Sequence, residues 1–299
     1  MTHQRPSSPA GVRSSNPRSA TAGVRSAALG RSVRRLCVCA FRSAHSPTRL
    51  EIEPAPLSSA DSIMAKSDPD ITYEFQTEEN TKPDELVEFL MDHYSCPGGE
   101  TTSEAVGIDR NTPGITEQMR LFAEKGAEEP QLSVVARDAL TGAIVGYRCG
   151  RVSEVSGLAA LVASMPDRAR ERLERGDWQG SRRLYSCVPF RRDVAERALE
   201  YFGEETRFHQ FMLLAVHKDY RRRGIATEMS RRSLEKTKEV GLKRVHVLPT
   251  CEAAFKVFES LGFKLMFTRR YSELLDDQGR PWIVPKNGAQ AAASYVLWL

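Results

Sequence analysis

The sequence predicts an α/β (α+β) protein with a mixed central sheet of about seven strands and helices on both faces. Three observations carry that. From Ile71 onward, short apolar runs alternate with stretches of helical period. The run "FHQFMLLAVH", residues 208–217, is largely apolar, as in a central strand buried on both faces. That strand leads through a basic turn, "KDYRRRG", directly into a helix.

The elements follow in order. "ITYEF" (71–75) reads as a first strand, rich in β-branched and aromatic residues. Pro83 opens a helix, "PDELVEFLMDHY", with Leu86, Phe89, Leu90 and His93 at helical spacing. "SCPGGETTSEAVG" (95–107) reads as a turn-rich loop. A second helix runs near "ITEQMRLFAEKG" (115–126). "QLSVVARDALTGAIVGYRCGRV" (131–152) is a hairpin, two apolar runs joined at Thr141-Gly142. Residues 155–207 hold two charged helical stretches, "PDRARERLERG" and "RRDVAERALEYFG", and read as an insertion. After the basic turn comes a helix (225–240) whose inward stripe is Ala226, Met229, Ser233, Thr237 and Val240. A strand "RVHVLPT" (244–250), a helix (251–261), a long strand "FKLMFTRRYSEL" (263–274) and a closing strand "SYVLWL" (294–299) complete the pattern.

Charge is unevenly spread. Residues 1–66 carry 10 Lys+Arg against 3 Asp+Glu, and the remainder carries 33 against 36. The globular part is therefore mildly acidic, which argues against bulk nucleic-acid binding. The first 67 residues are rich in Arg, Ser, Ala and Pro, with no acidic residue before Glu51. They have too little apolar surface to offset ordering entropy and read as a disordered leader before a domain over 68–299. The same composition fits an organelle transit peptide, and Met64 offers an alternative start. The compartment expected is the cytoplasm, or the mitochondrion if residues 1–63 are a transit peptide. Six cysteines (Cys37, Cys39, Cys96, Cys149, Cys187, Cys251) lack the spacing of a zinc site or disulfide framework and read as free thiols. No metal is expected. No apolar run approaches the ~18 residues of a membrane-spanning helix.

The turn "YRRRGIA" carries the sharpest chemical signal. A helix N-terminus presents free backbone N–H groups and the positive end of the macrodipole. Gly224 and the small Ala226 allow a ligand close to that backbone. Arg221, Arg222 and Arg223 add charge and bidentate donors. The result suits a diphosphate. No Gly-Lys-Ser/Thr follows, so this is not a Walker loop, and the three-glycine dinucleotide spacing is missing. A plain solvated charge run is the bland alternative for each arginine side chain.

At these residues the chain resembles a family. Arg221-x-x-Gly224-x-Ala226 is similar to the Arg/Gln-x-x-Gly-x-Gly/Ala motif of the GNAT superfamily, the acetyl-CoA-dependent N-acetyltransferases. The strand "LLAVHKDYR" before it, and "AAFKVFESLGF" after it, fit the same family over residues 71–299. "LAVHKDYRRRGIA", "VHVLPT" with "VFESLGF", and the long insertion resemble the invertebrate arylalkylamine N-acetyltransferase-like branch. The resemblance implies a central strand splayed from its neighbour at Leu214, Ala215 and Val216. Main-chain groups there would hold the pantetheine arm and aim an N–H, assigned to Val216, at the thioester oxygen. The amides of Arg222, Arg223, Gly224, Ile225, Ala226 and Thr227 would hold the pyrophosphate, with Arg221 assisting. Cys251 stands where relatives carry a residue near the pantetheine. Phe258 stands where the family often has a tyrosine that protonates the departing thiolate, so that role must pass to water or another group.

A protonated amine must lose a proton before it attacks, so the site needs a base or a water relay. The resemblance points to Glu100, in "GGETT", with Glu104 in reserve; plain solvation in a polar loop is the alternative. His209 reads as a core histidine and His217 as solvated, and His246 has no assigned role. Thr250 reads as the N-cap of the next helix. Tyr94 and the insertion aromatics Trp178, Tyr185, Phe190, Tyr201 and Phe202 are candidates for an acceptor pocket, or for core. The expected activity is acetyl transfer from acetyl-CoA to a primary amine, an arylalkylamine first, by direct attack in a ternary complex. The alternatives are a polyamine, amino-acid or protein N-terminal acceptor, or a non-catalytic acyl-CoA-binding module. The expected partners are the amine and acetyl-CoA, with no nucleic acid and no membrane.

Overall fold

A computed structural model describes residues 68–299 apart from 183–190, 194–195, 198–201, 203–206, 276–277 and 282. The expected leader and much of the second charged stretch, with Tyr185, Phe190 and Tyr201, lie outside the described residues. Seven strands form one sheet: β1 (Ile71–Phe75), β2 (Val134–Asp138), β3 (Ile144–Glu154), β4 (Arg207–Val216), β5 (Arg244–Val247), β6 (Lys264–Arg270) and β7 (Ala291–Trp298). Their order is β1-β2-β3-β4-β5-β7-β6. Every neighbouring pair is antiparallel except β4 and β5. A parallel pair needs a crossover, and α5 (Ile225–Glu239) supplies it.

Two further helices, α1 (Pro83–His93) and α3 (Ile115–Glu128), cover one face of the sheet. Their apolar stripes, Leu86, Phe89 and Leu90 with Ile115, Met119 and Ala123, pack on Tyr147, Cys149, Leu213 and Ala215. On the opposite face, Ile225 and Met229 of α5 pack on Val134, Ala136 and Val145. Gly146 makes this approach possible. A Cβ there would lie 2.9 Å from the Met229 methyl carbon and 3.1 Å from Ile225 Cγ2. The helix α6 (Glu252–Ser260) adds Phe258 to a cluster with Phe211, Val245, Val247 and Phe263.

The insertion begins as α4 (Val155–Glu174), eleven residues before the charged stretch suggests, with Pro166 inside it. Val155, Leu158, Val162, Met165 and Ala169 form its buried stripe. The expected loop at 95–107 contains a short helix, α2 (Thr101–Ala105). The long strand expected over 263–274 stops at Arg270 in a 3-10 turn, and β5 stops at Val247. Among the described residues no helix is long and apolar enough to cross a membrane.

Candidate active site

The site begins with an irregularity in β4. Opposite β3, Cys149 pairs with Leu213 but Gly150 pairs with Phe211. Met212 is therefore an extra residue, a β-bulge. The bulge turns Met212 and Leu213 toward the same α1/α3 core, where strict alternation would separate them. It coincides with the point where the sheet opens. β5 pairs with β4 only from His209 to Phe211, while β4 runs on along β3 to Val216. Beyond Val247 the chain turns to β7 instead, where Pro249 O accepts from Ala293 N–H. No described strand covers the outer edge of β4 from Met212 to Val216.

The ladder fixes which groups line that edge. His217 N–H donates to Val145 O (2.8 Å), so His217 faces β3. Alternation then turns the N–H and C=O of Val216 and Leu214 away from β3, into the opening. The pair sits at the wall of a slot whose other side is the chain after β5. Leu248 and Cys251 of that chain pack against the core that holds Leu213 and Ala215. The N-cap of α6 falls on Cys251, with no side-chain cap bond, rather than on Thr250. Thr250 O instead accepts from Tyr271 Oη (2.7 Å), which pins this wall.

The slot ends at the basic turn. Tyr220 Oη donates to Asp138 Oδ2 (2.8 Å) and anchors the turn to the β2–β3 hairpin. Hydrogen bonds from Thr141 and Tyr220 hold the Asp138 carboxyl down at about 2. Arg222 has φ +65° and Gly224 φ +79°, two left-handed residues flanking Arg223. For a non-glycine residue that backbone is strained, and such strain gathers at ligand sites. Successive N–H groups in this arrangement form an anion-binding concavity at a helix start. A Cβ on Gly224 would meet nothing within 4 Å, so the space over the amides is open. The first-turn carboxylate does not fill it. Glu228 is buried and accepts from Arg231 (2.7 and 2.8 Å) and Arg232 (2.7 Å).

The three arginines differ. Arg223 pairs with Asp68 and Asp70 and is structural. Arg221 donates to Gly98 O (3.1 Å) and reaches Val216 O (3.4 Å), tying the α1–α2 loop to the slot. Arg222 is exposed and makes no ion pair among the described residues. This donor set, with its open amides and unpaired cation, fits a diphosphate; the slot beside it fits an extended arm that bonds to strand edges.

Glu100 lies in the loop so tied, but its carboxylate caps α2. It accepts from Thr102 N–H (3.0 Å), Ser103 N–H (2.7 Å) and both hydroxyls (2.7 Å). Glu104 accepts from Gly98 N–H (3.0 Å). Phe258 is core, with ring centroids 6.0 Å from Phe211 and 5.3 Å from Phe263. His209 is also core, with Nδ1 2.6 Å from Thr237 Oγ1, and burial pushes its pKa well down. His246 is buried with Nε2 2.9 Å from Ser294 Oγ, and burial lowers its pKa to about 3. Of the acceptor candidates, Tyr94 meets Phe122 edge-on (6.3 Å), both packed with Met212 against the α1/α3 core, while Phe202 is core under α4 and Trp178 is half exposed.

Three features escaped the sequence reading. His93 closes against His217 at the end of β4, ring centroids 4.0 Å apart; burial, then the neighbouring His217, lowers its pKa. The bulge at Met212 is one. The third is Arg148, a fully buried arginine behind the bulge. Among the described residues no three His, Cys, Asp or Glu side chains gather as a metal site.

The fold has solved counterparts. The polyamine N-acetyltransferase of Drosophila melanogaster, which forms N-acetylagmatine, superposes at a TM-score of 0.61 with 19% identity, over 77% of this chain and 100% of that one. A mosquito arylalkylamine N-acetyltransferase, like 5b, gives the same values. Arylalkylamine N-acetyltransferase 2 from Aedes aegypti gives 0.59 at 17% identity, over 76% and 98%. At such identities these likenesses establish the fold. No curated protein matches the chain in sequence. The sequence profile of the Acetyltransferase (GNAT) family matches residues 108–263, more than half of the chain. That span contains the bulged strand, the opening beside it and the left-handed turn at the start of α5, and with the match it places the chain in the GNAT family of acetyltransferases.

Proposed function

We propose that this enzyme moves an acetyl group from acetyl-CoA to a primary amine by direct attack. One observation carries the reading: the open edge of β4, from Met212 to Val216, leads through a single 3-10 turn, Lys218–Tyr220, to the left-handed turn that starts α5. The diphosphate takes the amides from Arg222 to Thr227, with Arg221 and Arg222 beside them. The pantetheine arm lies along the open edge. The N–H groups of Leu214 and Val216 face it, and one meets the thioester oxygen as negative charge develops there. Cys251 lies along the opposite wall.

Glu100 is the proposed base, acting on the incoming ammonium. Its bonds to Thr102 and Ser103 set its direction, and it must exchange one of them for the amine or a bridging water. Phe258 has no proton to give, so the departing thiolate takes its proton from solvent or from the nitrogen, which becomes cationic on attacking the thioester and must shed a second proton. The acceptor is an arylalkylamine. The partly buried aromatics Tyr94, Phe122 and Phe267, packed against the core beside Met212, support an aromatic acceptor over a polycation. A panel of serotonin, dopamine, tyramine, agmatine, spermidine and short peptides, followed by thiol release from acetyl-CoA, tests this. The arylalkylamines should give the highest kcat/KM. A preference for spermidine or agmatine would overturn the acceptor assignment, and silence across the panel would overturn the reaction.

A further inference from the structure

Arg148 stands in the middle of β3, opposite Leu214. Its side chain is fully buried, and its guanidinium carbon lies 3.0 Å from the Phe211 ring centroid. Nη1 donates to Cys149 O (2.6 Å) and across the ladder to Leu213 O (3.3 Å). No carboxylate pairs with it among the described residues; the neighbouring His209 is held neutral by burial. Burial lowers the proton affinity of Arg148 itself, but a guanidinium that starts above about 12 keeps its proton. An uncompensated buried cation costs folding free energy. Neither carbonyl requires it, since Cys149 and Leu213 already form a hydrogen-bonded ladder pair in the alternation set by His217.

The position suggests what the charge does. The peptide joining Leu213 to Leu214 has its C=O toward β3, where Arg148 binds it, and its N–H toward the opening. A cationic donor on the C=O draws electron density through the amide and makes the N–H a stronger donor. We infer that Arg148 is a positioning residue for acetyl transfer: it clamps the β4 bulge and polarises the Leu213–Leu214 peptide, so that the Leu214 N–H, rather than that of Val216, is the donor that binds the developing oxyanion. This deepens the acetyl-transfer reading and rests on it. The arginine touches neither substrate. It acts through one peptide group.

The test compares Arg148→Met and Arg148→Lys with the wild type. Removing a whole oxyanion donor costs about 10²–10³ in kcat, so weakening one should cost roughly tenfold. Arg148→Met should lose roughly tenfold in kcat with the acetyl-CoA Kd unchanged and Tm unchanged or raised. Arg148→Lys keeps the charge and should recover most of the rate. Difference infrared spectra of bound [1-¹³C]acetyl-CoA should show the thioester C=O stretch moving back toward its solution frequency in Arg148→Met. An unchanged kcat and carbonyl stretch in Arg148→Met would overturn the inference alone, and so would a parallel loss of kcat, binding and Tm in both variants. Failure of the wild type to bind acetyl-CoA would remove the reading beneath it as well.

Discussion

Gly224→Ala separates the backbone of the anion cradle from its arginines. Gly224 sits at φ +79°, ψ 0° as the N-cap of α5. An L-residue in that region costs about 1–2 kcal/mol. For a domain of this size, 1 kcal/mol moves Tm by about 2–4 °C, so Tm should fall by roughly 2–8 °C. In the free protein the added methyl meets nothing within 4 Å, so the strain is the only penalty to folding. In the complex the methyl occupies the approach to the helix-start amides. Loss of one charge-assisted hydrogen bond, about 1.5–3 kcal/mol, weakens acetyl-CoA binding by roughly 10- to 150-fold. Gly114 is an internal control. It caps α3 with φ 77°, ψ 5°, and a Cβ there meets only Asp177 Oδ2 at 3.7 Å. Gly114→Ala should lower Tm by a similar amount and leave binding unchanged. Differential scanning fluorimetry and calorimetric titration read both. Equal binding by Gly224→Ala and wild type, or equal losses in the two variants, would refute the placement of the diphosphate.

Three further outcomes follow from the geometry. Arg222→Ala should weaken acetyl-CoA by roughly fivefold, about 1 kcal/mol, whereas Arg223→Ala, already committed to Asp68, should not; the reverse order would reassign the two. Glu100→Gln keeps one of the two oxygens that accept from the α2 amides, so it should lower Tm slightly, lower kcat and change the pH–rate profile. Unchanged kinetics would sink the base. His246 has its pKa depressed to about 3 in the fold against about 6.5 unfolded, so the unfolded chain takes up the proton first and stability is lost as pH falls below 6.5. By pH 5 the loss from His246 is about 2 kcal/mol. Urea unfolding of His246→Gln should show a shallower decline between pH 7.5 and 5 than wild type, and parallel declines would contradict it.

Much of the fold is legible in the sequence. β1, α1, β4 and α5 fall within a residue or two of their sequence boundaries, because apolar period and punctuation by Pro83 and Gly224 agree there. The cradle was legible because strand, basic turn and helix adjoin in sequence. What escaped depends on contacts between distant segments. The Met212 bulge is one residue within a continuous apolar run, and only pairing with Cys149 and Gly150 reveals it. Nothing local in "VGYRCGRV" singles out Arg148, yet it is fully buried with its guanidinium over the Phe211 ring. The helix α2 spans five residues, four of them polar, and its cap is a glutamate, outside the usual Ser, Thr, Asp or Asn signal. His93 was visible in the α1 stripe, but nothing local announces His217 as its neighbour.

In the proposed complex the opening beside β4 and the turn at Gly224 together hold acetyl-CoA. Calorimetric titration of the full chain with acetyl-CoA measures it directly. One saturable site per chain is expected, weakened in Gly224→Ala and intact in Gly114→Ala. Absence of binding to the wild-type protein would contradict it.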